Sequence, residues 1–245
     1  MTVELREISD VSVLGRSVWV GNCVQEVFGP EFDNAEFERW TSLWNGLPLD
    51  TYLHDHGRYR ERRYAKLIYR AADGALCRTD ETDFFQPRRY NPVNSGTRKF
   101  QPIDVQFLES AFARRLIRYF AKRFACELGA TQLEVELHQV RIIGSPGAPG
   151  HVTPEGIHKD GVDFSCQILF CRRNASGGES IIYSNDKTPL LGATMNDPLD
   201  FYYFRDSDIY HSVTPISPTA AGAFATRDVL GLDFSVNRQK TEDES

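Results

Sequence analysis

Apolar residues recur at helical spacing along residues 104–128, where Phe107, Leu108, Ala111, Leu116, Phe120 and Phe124 make one broad face. Arg114, Arg115, Arg118, Lys122 and Arg123 occupy the other, which reads as a solvated face. Asp104 can cap the first turn and Gly129 can end the last, so one continuous helix is predicted. A shorter helical run covers residues 36–45, with Phe37, Trp40, Leu43 and Trp44 on it and Gly46-Leu47-Pro48 behind it. Its aromatic stripe is expected to pack a helix against a sheet rather than to line a pocket.

Elsewhere the period is two. Residues 63–70 alternate as a strand, and Asp73-Gly74 turns the chain into a second strand at 75–78. Residues 82–102, polar and interrupted by proline, read as a long loop: a lid or a surface connection. Beyond Gly129, strands are predicted at 133–143, 164–171, 179–183, 200–204, 209–215 and 224–236, with Gly- and Pro-rich turns at 145–150 and 174–178. Such a series implies a sandwich or a barrel. The expected fold is mainly β with flanking α: a double-stranded β-helix of jelly-roll or cupin type, buttressed by N-terminal helices. Residues 1–245 are expected to form one domain, with 1–130 as a mixed helical support and 131–236 as the β core. A charged tail at 237–245 is expected to fray.

With 245 residues, 41% of them hydrophobic and 12% aromatic, the chain can bury a substantial core. Its net charge of −6 argues against a general nucleic-acid binder. No run approaches the roughly 18 apolar residues of a membrane span. The first residues lack the basic and apolar regions of a signal peptide. Cys23, Cys77, Cys126, Cys166 and Cys171 show no CxxC spacing and read as reduced, mostly buried thiols. A cytoplasmic protein without nucleic-acid or membrane partners is expected, and a homodimer stays open.

One segment carries chemistry. Pro154-Glu155-Gly156-Ile157-His158-Lys159-Asp160-Gly161 contains a His-x-Asp pair, and Tyr210-His211-Ser212 supplies a distant histidine. Residues two apart on an extended strand project to one face, so His158 and Asp160 can grip one metal ion together. His211 from another strand would complete a facial triad of two imidazoles and one carboxylate, with three octahedral positions left open. Such an iron(II) centre can chelate an α-keto acid, whose far carboxylate then needs a cation. Arg227 is placed for that role, among Phe224, Ala225, Val229, Leu230 and Leu232, and its fork meets a carboxylate bidentately. His54, His56, His138 and His151 read as non-ligands.

The runs Glu136-Leu137-His138-Gln139-Val140-Arg141, Pro154 to Phe164, His211-Ser212-Val213-Thr214-Pro215-Ile216, Arg227-Asp228-Val229-Leu230 and Asp233-Phe234 together resemble one family. It is that of the bacterial iron/2-oxoglutarate dioxygenases that hydroxylate free L-amino acids, including L-isoleucine 4-hydroxylase. The resemblance covers roughly residues 130–236 and is most specific at His-x-Asp-Gly. It implies that His158, Asp160 and His211 hold Fe(II), that Arg227 salt-bridges 2-oxoglutarate, and that O2 is the second co-substrate. Asp160 argues against the related halogenation, in which a small residue replaces the carboxylate. The Arg-x-Ser pairing of the family is absent (Arg227-Asp228-Val229), so any hydroxyl assisting Arg227 must come from elsewhere.

The leading expectation is a dioxygenase hydroxylating a small free, aliphatic L-amino acid. The alternatives are a hydroxylase of an N-substituted, carrier-linked or peptide-linked amino acid, and a metal cupin that is not an oxygenase. For the substrate, Gln139 and Arg141 are candidates for the carboxylate, and Glu155 or Asp163 for the amine.

Overall fold

The structure is a computed structural model that describes residues 17–81, 83–91 and 93–236. The N-terminal segment read for a signal peptide and the charged tail both lie outside the described residues.

Strands β1 (Val18–Asn22), β2 (Arg60–Arg70), β3 (Ala75–Arg78), β4 (Asp83–Gln86), β5 (Gly96–Lys99), β6 (Gln132–Gly144) and β7 (Phe164–Arg173) come first in the chain. They are followed by β8 (Ala175–Gly177), β9 (Ser180–Tyr183), β10 (Pro189–Ala193), β11 (Asp200–Arg205), β12 (Tyr210–Val213), β13 (Ile216–Pro218) and β14 (Ala225–Ser235). Seven make one antiparallel sheet in the order β1-β11-β7-β14-β6-β2-β3, and three make a second in the order β10-β9-β12. The fold is the predicted one, mainly β with a jelly-roll core and flanking helices.

Alternation sets what each face of the large sheet meets. Leu133, Val135 and Leu137 of β6 and Leu230, Leu232 and Phe234 of β14 point to the helices, α1 (Asn34–Thr41), α2 (Val105–Glu109) and α3 (Ala111–Leu128). There Phe124 stacks on Phe164 with ring centroids 4.3 Å apart, and Trp44 on Phe170 at the same separation. Trp40 and Trp44 are core residues, as their spacing predicts. Truncating any one such ring to alanine would cost about 3–5 kcal/mol. On the opposite face, Leu169, Tyr202, Phe204 and Val229 meet Ile182 of the small sheet in a second core cluster.

Several local expectations are corrected. Residues 104–128 form two helices, because the Ser110 hydroxyl accepts from the amide of Ala113 and begins α3 afresh. Gly129, at φ 62°, ends α3 as expected. Residues 82–102 are not structureless: β4 and β5 pair as a hairpin, Phe84 opposite Arg98. Residues 174–178, expected as a turn, include β8, which pairs with β13. None of the cysteines is disulfide-bonded, but only Cys23 and Cys166 are buried, while Cys77 and Cys126 are exposed. No helix among the described residues is long and apolar enough to cross a membrane.

Candidate metal centre and its cavity

His158 and Asp160 are predicted on a strand, yet the structure holds them on irregular backbone joined to β12 by a single antiparallel bridge. In that bridge the His158 amide donates to the His211 carbonyl and the His211 amide to the His158 carbonyl, both at 3.0 Å. A directly opposed pair sends both side chains to one face. The two imidazole centroids are accordingly 4.3 Å apart. Thr153 fastens the same segment to β12: its hydroxyl accepts from the Val213 amide at 3.0 Å and donates to the Val213 carbonyl at 3.2 Å.

Asp160 lies between the two rings, with Oδ1 3.4 Å from His158 Nε2 and Oδ2 3.3 Å from His211 Nε2. One donor atom from each of the three residues falls within 4.8 Å of the others, the one such group found among the described residues. His158 Nδ1–H donates to the Gly156 carbonyl at 2.9 Å, which leaves Nε2 as the lone-pair side of that ring. Both ring nitrogens of His211 are buried without a hydrogen-bond partner. Two imidazoles and a carboxylate, with orphaned buried nitrogen, suit a divalent first-row transition metal such as iron(II).

The electrostatics follow from this crowding. Burial would lower the pKa of His158, but the hydrogen bond its protonated ring donates to Asp160 and the charges of Glu155 and Asp160 raise it to about 9. Burial would raise the Asp160 carboxyl, but His211 and His158 hold it well below the usual carboxylate range. The backbone of Asp160 is held as firmly as its side chain. Its amide and that of Gly161 donate to the two carboxylate oxygens of Asp206, each at 2.8 Å. Gly161 sits at φ 85°, and a Cβ there would come within 2.4 Å of the Tyr90 ring, so the residue after Asp160 is restricted to glycine.

The centre opens into a cavity of about 1210 Å³ between the large sheet, the bridge segment and the β4–β5 hairpin. Arg227 lines it, is buried, and carries an Nε without a hydrogen-bond partner; burial lowers its pKa. Tyr202 of β11, which also lines the cavity, interacts electrostatically with Arg227. Glu155 and Asp163 line the cavity too, Glu155 with Oε1 3.3 Å from His158 Nε2 and Oε2 buried without a partner.

Gln139 and Arg141 do not line it. They share the helix-side face of β6, where Arg141 grips buried Asp228 with two bonds of 2.7 Å and reaches Asn45. The cavity face of β6 is instead Glu134, Glu136, His138, Val140 and Ile142. None of His54, His56, His138 and His151 joins the donor group. His138 Nδ1 accepts from Arg62 and its Nε2 lies 3.1 Å from Asp233 Oδ2. Burial and the Arg62 charge lower its pKa to about 3.

Sequence reasoning missed Asp206, His138 with Asp233, and a set of arginines, Arg60, Arg62 and Arg98, all in or under the cavity wall. The signal that could have found the first two arginines is Arg60-x-Arg62 leading the alternation of β2. Nothing local marks Arg98 or Asp206.

Residues 41–233 match the family described as 2OG-Fe dioxygenase. Among solved structures, the chain is similar to a bsmA homolog from Methylobium petroleophilum PM1, at 25% identity and TM-score 0.82, over 91% of this chain and 90% of that one. It is similar to IDO from Bacillus thuringiensis at 21% identity and TM-score 0.73, over 91% and 95%. It also shares the fold of the Fe(II)/(alpha)ketoglutarate-dependent dioxygenase TqaL, at 15% identity and TM-score 0.69, over 92% and 84%. No curated protein matches the chain.

Proposed function

Since the chain belongs to the 2OG-Fe dioxygenase family, whose members use Fe(II), 2-oxoglutarate and O2, we propose that it hydroxylates a small free L-amino acid with an aliphatic side chain. His158, Asp160 and His211 are the iron ligands in this reading, and Arg227 pairs with the distal carboxylate of 2-oxoglutarate. Residues 1–245 act as one catalytic domain. The observation that carries it is the buried His158–Asp160–His211 group opening into the same cavity as the buried, incompletely bonded Arg227.

Iron bound there, with 2-oxoglutarate and O2, supplies the oxidising power to replace a C–H bond by C–OH while 2-oxoglutarate is converted to succinate and carbon dioxide. This chain's residues aim the substrate and exclude water. Val140, Ile142, Val213 and Val229 offer an apolar wall for an aliphatic side chain. Glu155 and Asp163 offer acceptors for an ammonium group. The resemblance to L-isoleucine 4-hydroxylase favours isoleucine, leucine and methionine as first substrates.

The test is incubation of the iron-loaded enzyme with 2-oxoglutarate and a pool of L-amino acids, read by mass. Succinate is expected to rise in step with a product heavier by one oxygen. If only N-acylated or peptide-linked amino acids raise succinate above background, the free-substrate part of the reading fails and the dioxygenase stands.

A further inference from the structure

Beyond the iron centre and Arg227, the cavity has a second concentration of positive charge. Arg60 and Arg62 stand on the cavity face of β2, and Arg98 on β5 of the hairpin across from them. All three are buried, at 6%, 7% and 4% exposure. Long cationic side chains are almost never so buried unless paired. Their pairing here is incomplete. Arg60 Nε donates to Asp50 Oδ2 at 2.8 Å, but Nη2 has no partner. Arg62 donates to His138 and lies 3.9 Å from Asp50, and its Nε has no partner. Arg98 donates to Gln86 Oε1 at 2.8 Å, and its Nε has none.

Among the described residues Asp50 is the one carboxylate in salt-bridge contact with this cluster, reaching Arg60 and Arg62 but not Arg98, and Glu155 and Asp233 act only at longer range. The mutual repulsion is felt: burial, with Arg60 and Arg98 acting the same way, lowers Arg62 to about 9. Aromatic rings fix the geometry, Arg62 lying 4.3 Å from the Phe100 centroid and Arg98 4.6 Å from that of Phe84. Rigid, desolvated donors with surplus charge are pre-organised for an anion.

The register separates this cluster from Arg227. Arg227 pairs with Ile142 across β14 and β6, and Ile142 with Arg60 across β6 and β2. The two backbones are therefore about 10 Å apart, two strand spacings. A keto acid anchored on Arg227 leaves the β2–β5 arginines free for a different anion.

We infer that Arg60, Arg62 and Arg98 form a second anion subsite, which binds the carboxylate of the substrate while Arg227 serves the co-substrate. The inference rests on the proposed amino-acid substrate. It also assigns the hairpin a role, because Arg98 places β5 in the wall of this subsite.

The test compares L-isoleucine with L-isoleucinamide, which lacks the anion, in the wild type and in Arg98→Gln and Arg98→Lys. Binding to the iron- and 2-oxoglutarate-loaded enzyme is read under nitrogen by equilibrium dialysis, and turnover is read separately. The wild type is expected to prefer the acid over the amide by about thirtyfold or more, the cost of unpairing a buried charge. Arg98→Gln should abolish that preference with the 2-oxoglutarate KM unchanged, and Arg98→Lys should keep part of it. Acid and amide bound equally by the wild type, or neither bound, would overturn the subsite. So would variants that raise the 2-oxoglutarate KM alone, since the anion would then be the co-substrate. Selective acid binding with no succinate from any free amino acid would refute the proposed reaction and leave the subsite standing. If Arg98→Gln does not fold, a reduced acid preference in folded Arg98→Lys supports the inference, and a preference unchanged in that variant overturns it.

Discussion

Asp206 holds Asp160 through the backbone: both oxygens of its carboxylate accept 2.8 Å hydrogen bonds, one from the amide of Asp160 and one from that of Gly161. Burial and the nearby Asp160 charge raise the pKa of Asp206 to about 6, so two acidic groups are forced together and amide donors offset the repulsion. The Asp160 carboxylate is thereby aimed at the two imidazoles before any ligand arrives.

Replacing Asp206 with Ala should therefore weaken iron retention by about 10–100-fold without touching a ligand, the usual effect of removing an outer support. Asp206→Asn, which keeps one acceptor oxygen, should fall between. Iron titration of the apo-protein checks this, and equal affinities in all three proteins would show that the segment is held by other contacts.

His211→Ala removes one of three proposed ligands and should abolish turnover while the fold survives, because the cores are built from other residues. Circular dichroism reads the fold and metal analysis the iron. Full activity in this variant would remove His211 from the centre.

Arg227→Ala should raise the 2-oxoglutarate KM by about thirtyfold or more, since one partner of a buried charge pair is worth about 2–5 kcal/mol. Iron affinity should change far less. An unaltered 2-oxoglutarate dependence would assign the co-substrate to another cation, and the arginines of β2 and β5 would then be the first to test.

Stability against pH should report on His138 and Asp233. His138 is lowered from 6.5 to about 3 by burial and Arg62, so its contribution is present above pH 6.5 and lost as pH falls toward 3. Asp233 is raised from 3.8 to about 7 by burial and the Asp160 charge, so its contribution is present below pH 3.8 and lost as pH rises through 7. The slopes oppose each other, each at most about 1.4 kcal/mol per pH unit. The wild type should show little net dependence from these groups between pH 4 and 6.5. Asp233→Asn should become less stable on acidification across that window, and His138→Gln more stable. Denaturant midpoints at stepped pH check the signs, and parallel curves for both variants would rule the pair out.

The local sequence determined the strand alternation of β6, β7 and β14, the amphipathic face of α3 with its Gly129 stop, and the spacing that marks His158, Asp160 and His211. Each depends on short-range periodicity or on residue types that one chemistry requires. It did not determine that the ligand pair would sit on irregular backbone, because only the bridge to His211 and the bonds to Asp206 hold it there.

Nor did it determine the polar wall of the cavity. Along β6 both faces change character near His138: Leu133, Val135 and Leu137 are followed on their face by Gln139 and Arg141, and Glu134, Glu136 and His138 on the other by Val140 and Ile142. Polarity read locally therefore puts Gln139 and Arg141 in the mouth. The tertiary structure puts them with the helices, where Asp228 and Asn45 satisfy Arg141. Arg60, Arg62 and Arg98 became one cluster only when β2 entered the sheet beside β6 and the hairpin folded across it. Charge on a strand is legible in sequence; which face is buried, and what meets it there, is fixed by the strands and helices that pack around it.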